Sequence, residues 1–375
     1  MAYRISEYGE EVRGDIGAHC RRELAEALKE GDRSGIWPAE AYEKASAIGL
    51  GALALDEEYG GLGLTRAERA ACLETLAWTD AGLAVSYLGN SLAQAALEDS
   101  GTEEQKQQYL QAMADGDFGA FCLTESDAGS DLSRCRTRAA RQEGGSFLLN
   151  GAKVFVTNGP IASFYVVFAV TGDSMSAFLV DRETPGVSIG PEESKLGIRN
   201  SRTSEVVFED VRLTEAQLLG MEGDGLVIAE KALTQGRIWC GVCAVGIAQR
   251  ALDEAAAYAK EREQFGRPIA ENPVICAKLA EMEIRTWSAR QCCAAALDAE
   301  ADGENVRKAA SIAKCAGSDA AVFCASEAVQ IFGGNGYCAD YPVEKLLRDA
   351  KVFQIFEGTN EIQRMIIGKE VVKGR

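Results

Sequence analysis

The run Phe147-Leu-Leu-Asn-Gly-Ala-Lys-Val-Phe-Val-Thr157 decides how the rest of the chain is read. Residues of high strand propensity flank Asn150-Gly151, a dipeptide suited to a tight type I′ turn. The run is therefore expected to form a hairpin with strands Phe147–Leu149 and Lys153–Thr157. Further strands are expected at Phe164–Val170, Ser176–Val180 and Glu205–Phe208, punctuated by Gly, Pro and Asp. Strand character begins near Phe118 and fades near Leu213. On both sides the pattern is helical. Arg21–Glu30, Pro38–Ile48 and Glu103–Asp115 place apolar residues at helical spacing, with Tyr59-Gly-Gly-Leu-Gly63 as a break. Beyond Gly225, Ala248, Leu252, Ala255 and Ala259 form one apolar stripe on a helix that Gly266 and Pro268 terminate. Ser311–Phe332 and Pro342–Val371 continue the helical pattern. The expected order is α, then β, then α: a helical domain over 1–117, a β domain over 118–222 and a second helical domain over 223–375.

A chain of 375 residues corresponds to roughly two or three domains and is long enough to bury a core and still form a cleft. With 39 Lys and Arg against 57 Asp and Glu, the net charge is −18. Such a surface argues against non-specific nucleic-acid binding and against anionic membranes, while a local Arg/Lys cluster still suits an anionic ligand. Charge is present from the start, at Arg4, Glu7, Glu10, Glu11 and Arg13, so no secretion signal is expected. The longest uncharged run, between Lys153 and Asp173, contains Asn158, Gly159, Pro160 and Gly172. It reads as strands and a turn rather than a membrane helix.

The 12 cysteines have no disulfide-rich framework and are expected to be reduced and mostly buried, in a chain of cytoplasmic character. Trp239-Cys-Gly-Val-Cys243 looks like a redox dithiol, but it lies in a helical region without the strand context of that motif and reads as buried structural thiols. The single histidine, His19, sits on an amphipathic helix and reads as structural; no metal site is expected.

Four stretches carry chemistry, each with a plainer reading beside it. In Phe121-Cys-Leu-Thr-Glu-Ser-Asp-Ala-Gly-Ser-Asp131, small and hydroxylic residues let backbone N–H groups approach a flat polar ligand; the stretch also reads as a polar loop capped by Ser130 or Asp131. Phe155 and Thr157, two apart on a strand, share a face by period-2 geometry and offer an aromatic plate beside a hydroxyl; they also read as a half-buried strand. Gln330-Ile-Phe-Gly-Gly-Asn-Gly336 can cradle a phosphate on backbone N–H groups, or can be a plain helix–helix turn; it is not the dinucleotide fingerprint that follows a strand. In Ile355-Phe-Glu-Gly-Thr-Asn-Glu-Ile-Gln-Arg364, Glu357 follows apolar residues, Gly358 breaks the helix and Thr359 is placed to cap the next one. Desolvation by apolar neighbours raises a carboxyl pKa toward the range of a working base; the alternative is a solvated glutamate at a helix start.

Taken in order, these stretches resemble the acyl-CoA dehydrogenase family over nearly the whole chain. Gly151-Ala-Lys-Val-Phe-Val-Thr-Asn158 is similar to the family's Trp-Ile-Thr strand. Lys195-Leu-Gly-Ile-Arg199 and Val207-Phe-Glu-Asp-Val211 are similar to the exit of its β domain, and Arg262-Glu-Gln-Phe-Gly266 to its flavin-contacting turn. Ala244-Val-Gly-Ile-Ala-Gln-Arg-Ala-Leu252 through Ile367, with Arg348-Asp-Ala-Lys351 before Glu357, is closest in pattern to the medium- and short-chain members.

The resemblance implies an α+β fold with an N-terminal helical domain, a middle β-barrel-like domain and a C-terminal four-helix bundle. It implies FAD held between subunits of a homotetramer. Phe121, Leu123, Thr124, Gly129, Ser130, Phe155, Val156 and Thr157 would line the flavin. Arg262, Gln264, Phe265, Gln330, Gly333 and Gly334 would reach its pyrophosphate and adenosine, partly from a neighbouring subunit, with Thr359 and Glu361 beside the dinucleotide. Ser130, Thr234, Arg237, Phe356 and Gly358 would contact the acyl-CoA, and Leu88 would lie near the floor of the acyl pocket. Glu357 would take the α-proton as the β-hydrogen leaves as hydride to flavin N5. The backbone N–H of Glu357 and a flavin ribityl hydroxyl would stabilise the enolate oxygen, and an electron-transferring flavoprotein would accept the electrons. The chain departs from the family pattern at Phe155 (usually Trp), at Phe356 (usually Tyr), near Thr234 (often Asp) and near Pro273 (often Gln). Three other readings share the frame: an enoyl-CoA reductase running the reaction backwards, a flavin monooxygenase, which generally lacks a base at the Glu357 position, and a non-catalytic homologue.

Overall fold

The computed structural model describes residues 3–53 and 55–374; residues 1, 2, 54 and 375, which fall within the expected domain limits, lie outside it. The N-terminal third is helical. α1 (Glu7–His19) passes through a π-helical turn at Cys20–Leu24 into α2 (Ala25–Ser34), which ends at Gly35 in the left-handed conformation. After α3 (Ala39–Ala47) come α4 (Arg66–Thr79), α5 (Ala81–Ser100) and α6 (Glu103–Ala114). Their starts are set by side chains. Thr65 with Glu68, and Thr102 with Gln105, form reciprocal capping boxes, and Asp80 caps α5 by accepting from Leu83 N.

The middle of the chain is one eight-stranded sheet. Its strands are β1 (Gly119–Cys122), β2 (Arg138–Arg141), β3 (Phe147–Thr157), β4 (Phe164–Thr171), β5 (Ser174–Asp181), β6 (Val187–Glu192), β7 (Thr203–Leu213) and β8 (Leu218–Leu219). They run in the order β6-β7-β3-β2-β4-β5-β8, with β1 paired to β4. β1 and β2 each pair with β4 in parallel; the other pairings are antiparallel.

The expected hairpin at Asn150-Gly151 is not formed. Phe147–Thr157 is a single strand, with β7 along one edge and β2 along the other at Arg138–Arg141. The ladder with β7 slips between Leu149 and Gly151, so Asn150-Gly151 is a bulge rather than a turn. Glycine is required there because Gly151 has φ 148° and a Cβ would lie 2.5 Å from Thr137 Oγ1, where the chain entering β2 crosses. The uncharged run after Lys153 is the end of β3, a turn and β4. β4 is apolar from Phe164 to Val170 because both its faces are covered: Phe164, Val166 and Phe168 pack toward α5 and α6, while Tyr165, Val167 and Ala169 fill the inner core of the sheet.

The last third consists of α7 (Gly225–Glu261), a two-stranded turn of β9 (Glu263–Gln264) and β10 (Arg267–Pro268), α8 (Pro273–Ala301), α9 (Arg307–Phe332), α10 (Val343–Ala350) and α11 (Asn360–Val372). Helix α7 thus stops at Glu261, before the expected terminators. The pattern expected over Pro342–Val371 is two helices, separated by a 3-10 turn at Lys351–Gln354 and a non-helical stretch. Cys240 and Cys243 are fully buried inside α7 as free thiols. One core joins the N- and C-terminal helices. The three regions meet at a charged clasp. Lys345 bridges Asp80 (2.9 Å) and Asp349 (2.5 Å), Arg348 pairs with Asp32 (2.7 Å), and Asp349 accepts from Ile198 N of the β domain. No helix among the described residues is long and apolar enough to cross a membrane.

Candidate active site

The clasp leads directly into the segment carrying Glu357. After the 3-10 turn, Phe356 N–H donates to Val352 O (3.0 Å). Glu357 and Gly358 then both take positive φ, 56° and 80°, and Thr359 opens α11 by accepting from Ile362 N. Positive φ is unusual for glutamate and has to be held by its surroundings. Gln363 Nε2 does so, donating at 3.1 Å to both Glu357 O and Gly358 O. The resulting turn aims the carboxyl inward. Its Oε2 is sealed from solvent and has no hydrogen-bond partner, although the residue as a whole is part-exposed.

The wall facing that oxygen is Gly236 of α7: a Cβ there would lie 2.7 Å from Oε2 and 2.6 Å from Leu92 Cδ2 of α5. Burial raises the Glu357 pKa from 4.5 to about 7, against the opposing pull of Arg237 and Lys314. Arg237 is buried on α7, its Nη1 lies 3.5 Å from Glu230 and 3.4 Å from Thr234 Oγ1, and its Nε has no partner. Thr234 in turn donates to Glu230 O. Lys314 is buried on α9 and donates to Asn360 Oδ1 at 2.8 Å. Phe356 packs edge-on against Phe353, and Leu88 is buried one turn before Leu92. A desolvated, unpartnered carboxylate titrating near neutrality is equipped to take a proton from a weak carbon acid.

A second group lies where β1 meets β3. Phe121 stacks obliquely on Phe168 (4.7 Å), Leu123 is buried, and Thr124 O accepts from Val154 N (2.9 Å). Gly129 and Ser130 are exposed, and Asp131, not Ser130, caps the following turn by accepting from Ser133 N. The β3–β7 ladder slips again between Lys153 and Val156, with Phe155 at φ 55° and 64% exposed. Lys153 and Val156, three apart, are both buried, so simple alternation does not hold across this bulge. The period-2 argument for Phe155 and Thr157 therefore lacks its premise. Thr157 meets α5 where Gly89 allows close approach, a Cβ there lying 2.8 Å from Thr157 Cγ2.

A third group lines a cleft of about 510 Å³ between the β9–β10 turn and the end of α9, with Arg262, Gln264, Phe265, Arg267, Gly333 and Gly334 among its walls. Both glycines have free space where a Cβ would sit, and Phe265 is 99% exposed. Gln330 is exposed and does not line this cleft. Thr359 and Glu361 sit at the start of α11, where backbone N–H and the Thr359 hydroxyl pull the Glu361 carboxyl down.

Gly236, Leu92 and Lys314 around the carboxylate, and Glu125 and Lys153 behind the second group, were not singled out from sequence. The one local signal was a glycine in the middle of a long helix, which costs about 1 kcal/mol against alanine and marks a packing demand.

The chain thus runs helices, sheet and helices in this order, with a desolvated carboxylate oxygen just ahead of the last helix. Comparison with known proteins agrees along the chain. The family models "Acyl-CoA dehydrogenase, N-terminal domain", "middle domain" and "C-terminal domain" match residues 6–117, 120–211 and 223–372. An acyl-CoA dehydrogenase of Bacillus subtilis is 44% identical, with 95% of each chain covered. An acryloyl-CoA reductase (NADH) of Anaerotignum propionicum is 39% identical over 94% of this chain and 91% of that one. The solved structure of butyryl-CoA dehydrogenase from Megasphaera elsdenii superposes with a TM-score of 0.96 at 37% identity, covering 99% of this chain and 100% of that one. The chain belongs to the acyl-CoA dehydrogenase family. It is an oxidoreductase acting on acyl-CoA, and the family implies a flavin.

Proposed function

We propose that this enzyme catalyses FAD-dependent α,β-dehydrogenation of an acyl-CoA thioester to the trans-2-enoyl-CoA, with Glu357 as the base. The observation that carries this reading is the sealed Oε2 of Glu357, unpartnered and with a pKa raised to about 7. The thioester carbonyl acidifies the α-carbon, Glu357 takes the α-proton, and the β-hydrogen departs as hydride. Packing against α5 and α7, at Leu92 and Gly236, keeps water from the carboxylate oxygen Oε2.

FAD, when bound, supplies the hydride acceptor. The residues present fit it. Arg262 and Arg267 offer charge to a pyrophosphate, and Gly333 and Gly334 leave the backbone open to one. The exposed Phe155 ring offers a stacking face, and in this reading Phe121, Leu123, Thr124, Gly129, Ser130, Val156 and Thr157 line the flavin with it. Gln330, Thr359 and Glu361 complete the dinucleotide contacts in this reading. Ser130, Thr234, Arg237, Phe356 and Gly358 hold the acyl-CoA, and Leu88 floors the acyl pocket. The domain limits are 1–117, 118–222 and 223–375. The fully exposed Phe265 ring, with Trp287 and Ile284 exposed on α8, suits burial against further copies in a homotetramer. We place the enzyme in cytoplasmic fatty acid metabolism, passing electrons to an electron-transferring flavoprotein.

The test is Glu357→Gln: the variant is expected to bind FAD and acyl-CoA and to lose α-proton exchange, and retained turnover would sink the assignment. Anaerobic flavin bleaching across a panel of acyl-CoAs identifies the acyl group.

The acryloyl-CoA reductase relative favours a second reading, the reverse reaction. The same residues serve it, with Glu357 returning the α-proton. Anaerobic mixing of reduced enzyme with an enoyl-CoA decides: no reoxidation of the flavin counts against reduction.

A further inference from the structure

The most deeply buried charge in the β domain takes no part in the chemistry above. Lys153 of β3 is fully buried, and its ammonium donates to Glu125 Oε1 (2.7 Å) and to Leu123 O (3.1 Å). Glu125, also buried, accepts three further donors: the Cys135 thiol (2.7 Å), Arg136 N (2.6 Å) and Thr137 N (3.0 Å). Burial alone would push this carboxyl up; the donors overcome it and hold Glu125 at about 2.

Buried ion pairs of this kind are often replaceable by apolar residues without loss of stability, so stability is a weak reason for one to exist. What this pair does is geometric. It ties together three separate pieces of chain: the turn after β1, the segment entering β2, and β3 just before its bulge. Two successive carbonyls, Leu123 O and Thr124 O, are fixed to two successive residues of β3, by the Lys153 side chain and by Val154 N (2.9 Å). The clamp closes immediately behind Leu123 and Thr124 and two residues before Phe155.

We propose that the Lys153–Glu125 pair is the positioning device of the flavin wall, setting the placement of Leu123, Thr124 and Phe155 and, through its two opposite charges, the affinity and reduction potential of the bound flavin. The proposal rests on the flavin reading above. Two-electron reduction adds negative charge to the bound ring. A buried ammonium behind the wall favours that charge and a buried carboxylate disfavours it. The two residues therefore act on the potential with opposite signs, whereas two residues that merely hold the fold would not.

The test uses Lys153→Met, Glu125→Gln and the double variant. FAD affinity is measured by titration of the apoprotein, and reduction potential by equilibration with a reference dye. Lys153→Met is expected to lower the potential and Glu125→Gln to raise it. Each change corresponds to about tenfold in the ratio of affinities for reduced and oxidised FAD, or about 30 mV for a two-electron couple. The neutral double variant, which leaves no unpaired buried charge and so keeps the proposal testable if a single variant does not fold, is expected to unfold at the wild-type temperature. Its potential returns toward the wild-type value, but it binds FAD at least tenfold more weakly because Leu123 O has lost its donor. Single-variant shifts of the same sign, or a folded double variant with wild-type FAD affinity, would overturn the proposal and leave the dehydrogenase reading standing. A wild-type protein that binds no FAD would overturn both.

Discussion

Glu357→Gln tests the desolvation of the carboxylate through folding stability, independently of any rate. Burial lifts the carboxyl from 4.5 to about 7 in the folded protein, with Arg237 and Lys314 pulling the other way. Each pH unit of displacement is worth about 1.4 kcal/mol. Above pH 7 the ionised Glu357 therefore destabilises the fold by about 3 kcal/mol relative to a solvated glutamate. Because the folded pKa is raised, the folded chain binds more protons than the unfolded chain between 4.5 and 7, and stability falls as pH rises through that window. Below 4.5 the carboxyl is neutral in both states and the cost vanishes. Glutamine has nearly the same shape and no charge at any of these pH values. The stability of the variant minus that of the wild type is thus expected to be near zero at pH 4, to grow through the window, and to level off at about 3 kcal/mol above pH 7. Urea unfolding of both proteins between pH 4 and 9, followed by the fluorescence of tryptophans such as the buried Trp239, reads this difference. A difference that does not vary with pH, or a variant less stable than wild type at pH 8, would show that the carboxylate is hydrated and would remove the basis for its role.

The acid limb of kcat/KM for flavin reduction by acyl-CoA is expected near pH 7, falling tenfold per pH unit below it, because protonated Glu357 cannot accept the α-proton; Arg237→Met should move that limb to higher pH in stopped-flow profiles, since Arg237 favours the ionised carboxylate. Gly236→Ala puts a methyl 2.7 Å from Glu357 Oε2 and 2.6 Å from Leu92 Cδ2. Overpacking of about 1–3 kcal/mol is expected to outweigh the better helix propensity and to slow proton abstraction while leaving the flavin absorbance intact, which rapid-mixing kinetics and the visible spectrum check together. Arg348→Met strands the buried Asp32 carboxylate without its partner and is expected to cost about 3–5 kcal/mol of stability in urea unfolding.

How far the sequence could be read depended on how local the determining interactions were. The α, β, α order was legible because helix and strand periods are properties of a dozen residues at a time. Capping was legible too: Thr359 starts α11, as its position before Ile362 implies. Asn150-Gly151 misled because its demand for glycine arises from a neighbouring chain. Thr137 passes within 2.5 Å of where a Cβ would be, so the residue that reads as a turn allows a close crossing in the middle of a sheet. The bulge at Phe155 is of the same kind, set by how β3 registers on β7 and invisible to alternation along β3 itself.

Glu357 shows the same division inside one residue. Its apolar neighbours Ile355 and Phe356 suggested desolvation, yet Ile355 is largely exposed and supplies little of it. The burial comes from α5 and α7, through Leu92 and the missing side chain of Gly236. The opposing charges come from Arg237 on α7 and Lys314 on α9. The carboxyl reaches that enclosure only because Glu357 itself adopts positive φ, held by Gln363 reaching back to its carbonyl. The perturbed pKa is therefore a property of three packed helices and one strained turn. A glutamate with the same flanking sequence on a relaxed helix would titrate as an ordinary carboxylate.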